Sequence, residues 1–390
     1  MKTVKIRPTI KSYSWGSRDI LPSLFHFKGD GRPCAEAWFG VHPEGESLLE
    51  DGQRLSQYIQ EHPQELFGDN WKQWTVTFPL TLKVLAVNTP LSLHVHPDRV
   101  QAALGWADEE IRRRLGGTRE ELNYSDDRMK NELFYALTPS TLLCGFRDSQ
   151  AVAYHLRRLC PQSYERHFAS SRTVRGIVKT LFRLPADELE AVVDEYIRGL
   201  DEAGEEDRKG GVYYSEAGVS RLTMELFGPE AAVLAPYLMN LVHMRIGEAL
   251  SIPCGILHSY IHGSGVELED SSDNEIRIGM SNRHKDIMGA LNLIDFDSSF
   301  NGKLNLEDDR FLRRIANSGG LKLAVLSSGS YDIREKSPSF ALCTQGRARV
   351  GTAGDHIELG EGECCFIPSC DDEYHIRVRG TVFQALFEAE

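Results

Sequence analysis

In the stretch 88–98, NTPLSLHVHPD, two histidines stand two residues apart in an apolar run that ends at Pro97. Side chains i and i+2 of a strand share a face. On a strand, His94 and His96 therefore reach one ion or line one cavity together. A third histidine, His258, follows a turn-rich segment that contains Gly247, Pro253 and Gly255. Glu132 enters an apolar, strand-like run, where a carboxylate is costly to bury unless paired or ligated. Three imidazoles and one carboxylate would suit Zn²⁺ or Fe²⁺.

The chain that must position these groups has 390 residues, room for two or three domains at roughly 100–200 residues each. Apolar residues make up 41% and charged residues 26%, a balance that supports a sizeable globular core. A net charge of −13 argues against nucleic acid as a partner, since such proteins cluster Lys and Arg, yet a few local cations would still hold an anionic small molecule. The opening MKTVKIRPTIKSYSWG lacks a signal-peptide apolar core. No run approaches the roughly 20 apolar residues of a membrane span. The eight cysteines form no CxxC pair and read as reduced thiols, which points to the cytoplasm.

Composition changes along the chain. Gly and Pro punctuate the first hundred residues, with β-like runs at 74–80 and 82–87. From about 149 to 235 the spacing is helical: Val174, Ile177, Val178, Leu181 and Phe182, then Leu189, Val192, Val193, Tyr196, Ile197 and Leu200. Asp187 and Glu188 load the first turn of the second helix, where the dipole favours anions. The polar run DEAGEEDRKGG (201–211) reads as a solvated turn. LVHMRI, ALSIP and ILHSYI then predict strands. A last β-rich block, roughly 315–390, holds SFALCTQG, RARVGTAG, HIELGEGE and CCFIPS.

The segment Gly247 to His258 resembles the second motif of the cupin family, in which Gly turns the chain, Pro ends a strand and a second Gly permits a tight return. The His-x-His pair resembles the first motif, with Asn88 where the family places a Gly. The last block echoes the pattern from Gly362 through Pro368 and Cys370 to Glu373, without a His-x-His pair, and reads as a smaller jelly roll without metal. The fold expected is mainly β with an α-helical insertion. A metal-binding cupin (jelly-roll) catalytic domain covers 1–148 and 236–314. The helical insertion covers 149–235, and a C-terminal jelly roll covers 315–390.

More specifically, the chain resembles the type I mannose-6-phosphate isomerases. The resemblance rests on SYSWGSRDILPSLF, CAEAWFGVHP, FPLTLKVLAVNTPLSLHVHPD and, above all, the run 252–286, IPCGILHSYIHGSGVELEDSSDNEIRIGMSNRHKD. It implies a metal-dependent isomerase that interconverts mannose 6-phosphate and fructose 6-phosphate through a cis-enediol, with one Zn²⁺ per chain. The implied ligands are His94, His96, Glu132 and His258. Arg277, Lys130, Glu267 and Asp273 carry over as catalytic candidates; Trp15, Lys83, Ser92 and Tyr260 as substrate contacts. Two positions depart from the family: His94 stands at a glutamine and Met129 at a histidine. The implied partner is a phosphosugar, with no nucleic acid, membrane or obligate protein partner. Two alternatives are a catalytically altered cupin that binds metal and phosphosugar, and a non-haem iron cupin oxygenase.

Overall fold

A computed structural model describes residues 3–72, 78–118, 122–297, 300, 302–308, 313–334, 337–352, 354–369 and 373–387. The organising element is the strand His258–Asp270. Its first residues pair with two strands, Leu93–Val95 and Ser140–Phe146: His258 lies opposite both His94 and Cys144. Its remainder, from Gly263, pairs with Leu80–Val87 on one side and, from Gly265, with Glu132–Ala136 on the other. One strand thus serves both walls of the jelly roll. The passage needs Gly263, whose φ is +122° and where a Cβ would meet Ser140 Oγ at 2.2 Å. An L side chain has neither the backbone conformation nor the space there.

The two walls are covered from outside by different units. The segment 149–238 is helical, as its spacing predicts, and includes Ser149–Leu159, Val174–Leu181, Ala186–Glu202 and Glu216–Phe227. The first-turn acids Asp187 and Glu188 lie where expected. These helices pack Val152, Val178, Val193 and Leu238 against Leu93, Val95, Leu257 and Ile276, the backs of the histidine-bearing strands. The other wall packs Leu82, Val84, Leu133 and Leu268 against Phe340, Phe366 and Phe383 of the C-terminal sheet. Every residue of Leu80–Val87 is consequently buried, Thr81 and Lys83 among them. A separate cluster fills the inside of the C-terminal unit, with Leu326, Val350 and Ile376.

Several local readings change. SFALCTQG and RARVGTAG are one strand, Ser339–Gly351. Gly346 between them makes no reversal; its φ of +78° lets the backbone pass Arg379 O, which a Cβ would meet at 2.0 Å. The run 201–211 is not only turn, since Arg208–Lys209 pairs with Tyr213–Tyr214. The strand Val4–Arg7 pairs with Cys364–Ile367 of the C-terminal sheet and with Leu48–Leu49. Residues 74–77 of the β-like run at 74–80, and Cys370 of the C-terminal echo, lie outside the described residues. Gly362 does make a turn, at φ +81°, before the strand Cys364–Ile367.

The passage at Gly263 sets a stability test. Gly263→Ala is expected to cost about 2–4 kcal/mol in urea unfolding, from strain and overpacking together. Gly204→Ala, at φ +66° with open space around it, is expected to cost about 1 kcal/mol. Equal losses would mean that the close approach to Ser140 does not matter.

Candidate metal centre and substrate cavity

His94, His96, Glu132 and His258 converge from three segments, their donor atoms within 4.8 Å of one another and all four side chains buried. The sheet register brings them together: His258 is opposite His94, and Glu132 lies opposite Glu269 on the shared strand. Each imidazole is oriented by its other nitrogen. Nδ1 of His94 donates to Ser92 O at 2.8 Å, Nδ1 of His96 to Asn274 O at 2.6 Å and Nδ1 of His258 to Ile256 O at 2.9 Å. A carbonyl accepts only, so this network assigns the proton to Nδ1 and leaves each Nε2 as a lone pair facing the centre.

That arrangement is incomplete without a cation. Nε2 of His96 is 2.9 Å from Glu132 Oε1, and Nε2 of His258 is 3.3 Å from Glu132 Oε2. With the protons on Nδ1, lone pairs confront carboxylate oxygens. His258 Nε2 is moreover buried without a hydrogen-bond partner. Burial, the largest influence, pushes His94 well below the usual imidazole range and also lowers His96, which favours the neutral ligating form. Burial works upward on Glu132, but Lys130, His96 and His258 outweigh it and hold the carboxyl well below its usual range. Neutral imidazoles and an ionised carboxylate are a set fit for a divalent transition metal.

Beside the centre lies a cavity of about 360 Å³. It is lined by Trp15, Lys83, Ser92, Lys130, Tyr260, Glu267, Asp273 and Arg277, which are all the catalytic and substrate-contact candidates read from the sequence. His94 and Glu132 reach its wall, while His96 and His258 lie deeper. Asp273, Glu275, Arg277, Asn282 and Arg283 also border a wider outer space of about 1060 Å³, so they mark the mouth.

Charges in the cavity wall are paired. Lys130 Nζ lies 3.0 Å from Glu132 and 3.1 Å from Glu269. Lys83 is an interior-strand residue, 2.6 Å from Glu269 and 4.1 Å above the Trp38 ring. Tyr260 donates its hydroxyl to Glu267 at 2.7 Å and lies 3.3 Å from Glu132. Burial, then Glu132 and Glu269, push the Glu267 carboxyl well above its usual range. Burial likewise raises Glu36, whose Oε2 accepts from Trp38 Nε1 at 2.7 Å. The two buried ammonium groups therefore serve Glu132 and Glu269, and burial pushes Glu36 and Glu267 towards the protonated form.

Three participants are absent from the sequence-based set. Glu269 was legible, since it follows Glu267 by two residues and shares its face. Asn274, fully buried, accepts from His96 with its main-chain oxygen, while its side chain holds the loop at 125–128 through Ser125 N, Asp126 O and Arg128 O. Glu275 joins Ser92, His94 and Arg277. Its position within SDNEIR was visible, but its contacts depend on the pairing of Ile276–Gly279 with Leu93–Val95.

The fold and centre define a class first: a jelly roll with a buried three-histidine, one-carboxylate metal site opening onto a polar cavity. Residues 3–149 match the family model for phosphomannose isomerase type I, catalytic domain. The chain is 28% identical to the mannose-6-phosphate isomerase of Schizosaccharomyces pombe, covering 93% of this chain and 94% of that protein. It is 24% identical to the mannose-6-phosphate isomerase of Escherichia coli, covering 96% and 97% respectively. A crystal structure of mannose 6-phosphate isomerase bound with zinc and yttrium superposes over 100% of both chains with a TM-score of 0.86 at 20% identity. The chain is thus similar over nearly its whole length to proteins named mannose-6-phosphate isomerase, and over residues 3–149 to the type I catalytic domain.

A divalent cation is expected to co-purify in stoichiometric amount, as read by elemental analysis. At a free concentration about 100 times its Kd it would stabilise the fold by about 2.7 kcal/mol. His258→Ala should lose it while keeping the β-rich circular dichroism spectrum. A stoichiometric cation retained in a folded His258→Ala protein would show that the ligand set is wrong.

Proposed function

We propose that the chain is a metal-dependent aldose–ketose isomerase that interconverts mannose 6-phosphate and fructose 6-phosphate, with one Zn²⁺ held by His94, His96, Glu132 and His258. The single observation that carries the reading is the lone-pair-lined centre, opening onto a cavity large enough for a small ligand, in a chain alike throughout its length to isomerases of this kind. That whole-length likeness favours isomerisation over an oxygenase or a binder that has lost its chemistry. We divide the labour along the chain as its composition suggests: 1–148 and 236–314 hold the site, 149–235 and 315–390 cover it from either side.

Isomerisation moves one proton between C2 and C1 of the open-chain sugar. When bound, zinc would supply a Lewis acid beside the O1 and O2 oxygens. Glu267 suits the carbon proton transfer: it lies in the cavity wall, burial holds its carboxyl well above the usual carboxylate range, and Tyr260 fixes its orientation. The Glu267 carboxylate takes the C2 proton and leaves an enediolate; a proton gained at O1 gives the enediol, and as O2 gives up its proton the Glu267 acid returns the carbon proton to C1. Lys130 sits by Glu132 and Glu269, where its ammonium can shuttle a proton to a hydroxyl oxygen. Arg277 at the mouth stays charged and stabilises developing negative charge on oxygen. Asp273, also at the mouth, suits ring opening. Trp15 supplies a wall for the sugar. Ser92 and Lys83 stand on the strand pair beside His94, although both are engaged already, with Glu275 and Glu269. The phosphate would therefore draw on these groups and on the mouth cations together. A cytoplasmic setting accords with cysteines that are free among the described residues, and with no described helix long and apolar enough to cross a membrane. The reading needs no nucleic acid, membrane or obligate protein partner.

A coupled assay tests the reading by following fructose 6-phosphate formed from mannose 6-phosphate. Wild-type, metal-loaded protein should turn over. Arg277→Ala should lower kcat by about 10²–10³-fold while keeping its metal. Glu267→Gln should lower it by about 10²–10⁴-fold. No turnover by metal-loaded wild type would refute the activity, and near-normal turnover by either variant would remove that residue from the mechanism.

A further inference from the structure

Glu275 occupies an unusual position between the metal centre and the cavity mouth. Its Oε1 accepts the Ser92 hydroxyl and lies 3.1 Å from His94 Nδ1. Its Oε2 accepts from Arg277 Nη2 at 2.7 Å. The carboxylate is held from both sides and cannot swing away from the imidazole without giving up Arg277. The backbone reinforces this: Arg277 lies directly opposite His94 in the pairing of Ile276–Gly279 with Leu93–Val95, and a register shift follows between Arg277 and Gly279. Among the four ligands, His94 is the one whose Nδ1 faces a carboxylate as well as a carbonyl. His96 and His258 have main-chain carbonyls alone at that nitrogen.

We propose that Glu275 is a positioning residue that orients His94 towards the bound cation and ties that ligand to Arg277, so that the metal centre and the mouth cation share one carboxylate. A carboxylate behind a ligating histidine fixes the ring, holds the proton on Nδ1 and raises the basicity of Nε2. Because His94 stands where the resembled family uses glutamine, the residue that supports it is a property of this chain's own ligand set. The inference rests on the metal reading above, and its consequence is measured as metal affinity rather than turnover.

The experiment is a double-mutant cycle on zinc affinity, read by competition with a chromophoric chelator. Glu275→Gln keeps the shape and removes the charge; it is expected to weaken zinc binding by about 10- to 100-fold. In a His94→Gln background the same change should have little further effect, because its target is gone. Ser92→Ala, which removes the hydroxyl donated to Glu275, should weaken zinc in the same direction by less, and it serves if Glu275→Gln does not fold. Unchanged zinc affinity in folded Glu275→Gln, or an equal loss with and without His94, would overturn the proposal. If Glu275→Gln does not fold, an unchanged affinity in Ser92→Ala would overturn it as well. Failure of wild type to bind zinc at all would instead refute the metal reading beneath it.

Discussion

The site depends on a single strand that belongs to both walls of the jelly roll. His258–Asp270 places an imidazole at its start and two carboxyls, Glu267 and Glu269, near its end. Between them Gly263 carries the backbone past Ser140 at a distance no side chain would allow. Much of the candidate site is hung on that strand or on its direct neighbours: His94 and Cys144 flank His258, and Lys83 and Phe134 flank Glu267. A slip of one residue would reverse every one of these side chains. The outer layers make a slip costly, because the helical segment and the C-terminal sheet bury the backs of both walls. Units that pack outside the candidate site thus fix the register on which it rests.

Charge is the second constraint. A buried ion must be paired or change its protonation state. Here both solutions occur within a few ångströms. Lys83 and Lys130 pair with Glu269 and Glu132. Glu36 and Glu267 are pushed upward by burial. Burial favours the neutral form of His94 and His96, and the Nδ1 contacts of all three histidines aim their Nε2 atoms at a shared point. The result is a cavity wall with a place for a cation at the three histidines and Glu132, and beside it a carboxyl, Glu267, held above its usual range. Tyr260 links these parts, since its hydroxyl sits between Glu267 and Glu132.

Ligand types announced themselves in the sequence because their pattern is local. His94 and His96 obey the two-residue period of a strand, and His258 follows a Gly-Pro-Gly turn. Arg277 and Asp273 stood in one recognisable run with Glu267. The helical insertion was equally legible from its spacing. What local pattern could not give was partnership across the sheet. Glu275 looked like one more acid in SDNEIR until Ile276–Gly279 paired beside Leu93–Val95. Lys83 looked like a free cation until Glu269 came opposite its neighbour. The continuity of SFALCTQG into RARVG as one strand, Ser339–Gly351, also depends on a distant partner, since Gly346 serves a close approach to Arg379. The transfer of Val4–Arg7 to the C-terminal sheet joins the two ends of the chain and has no local signal at all.

The central claim is that one cation, held by His94, His96, Glu132 and His258, makes this cavity an isomerase. Titration of metal-free protein with zinc, with turnover of mannose 6-phosphate followed at each addition, tests it most directly. Turnover should be negligible at the start, rise in proportion to zinc and level off once each chain holds a single ion. Full turnover in the metal-free protein, or none after the site is filled, would contradict it.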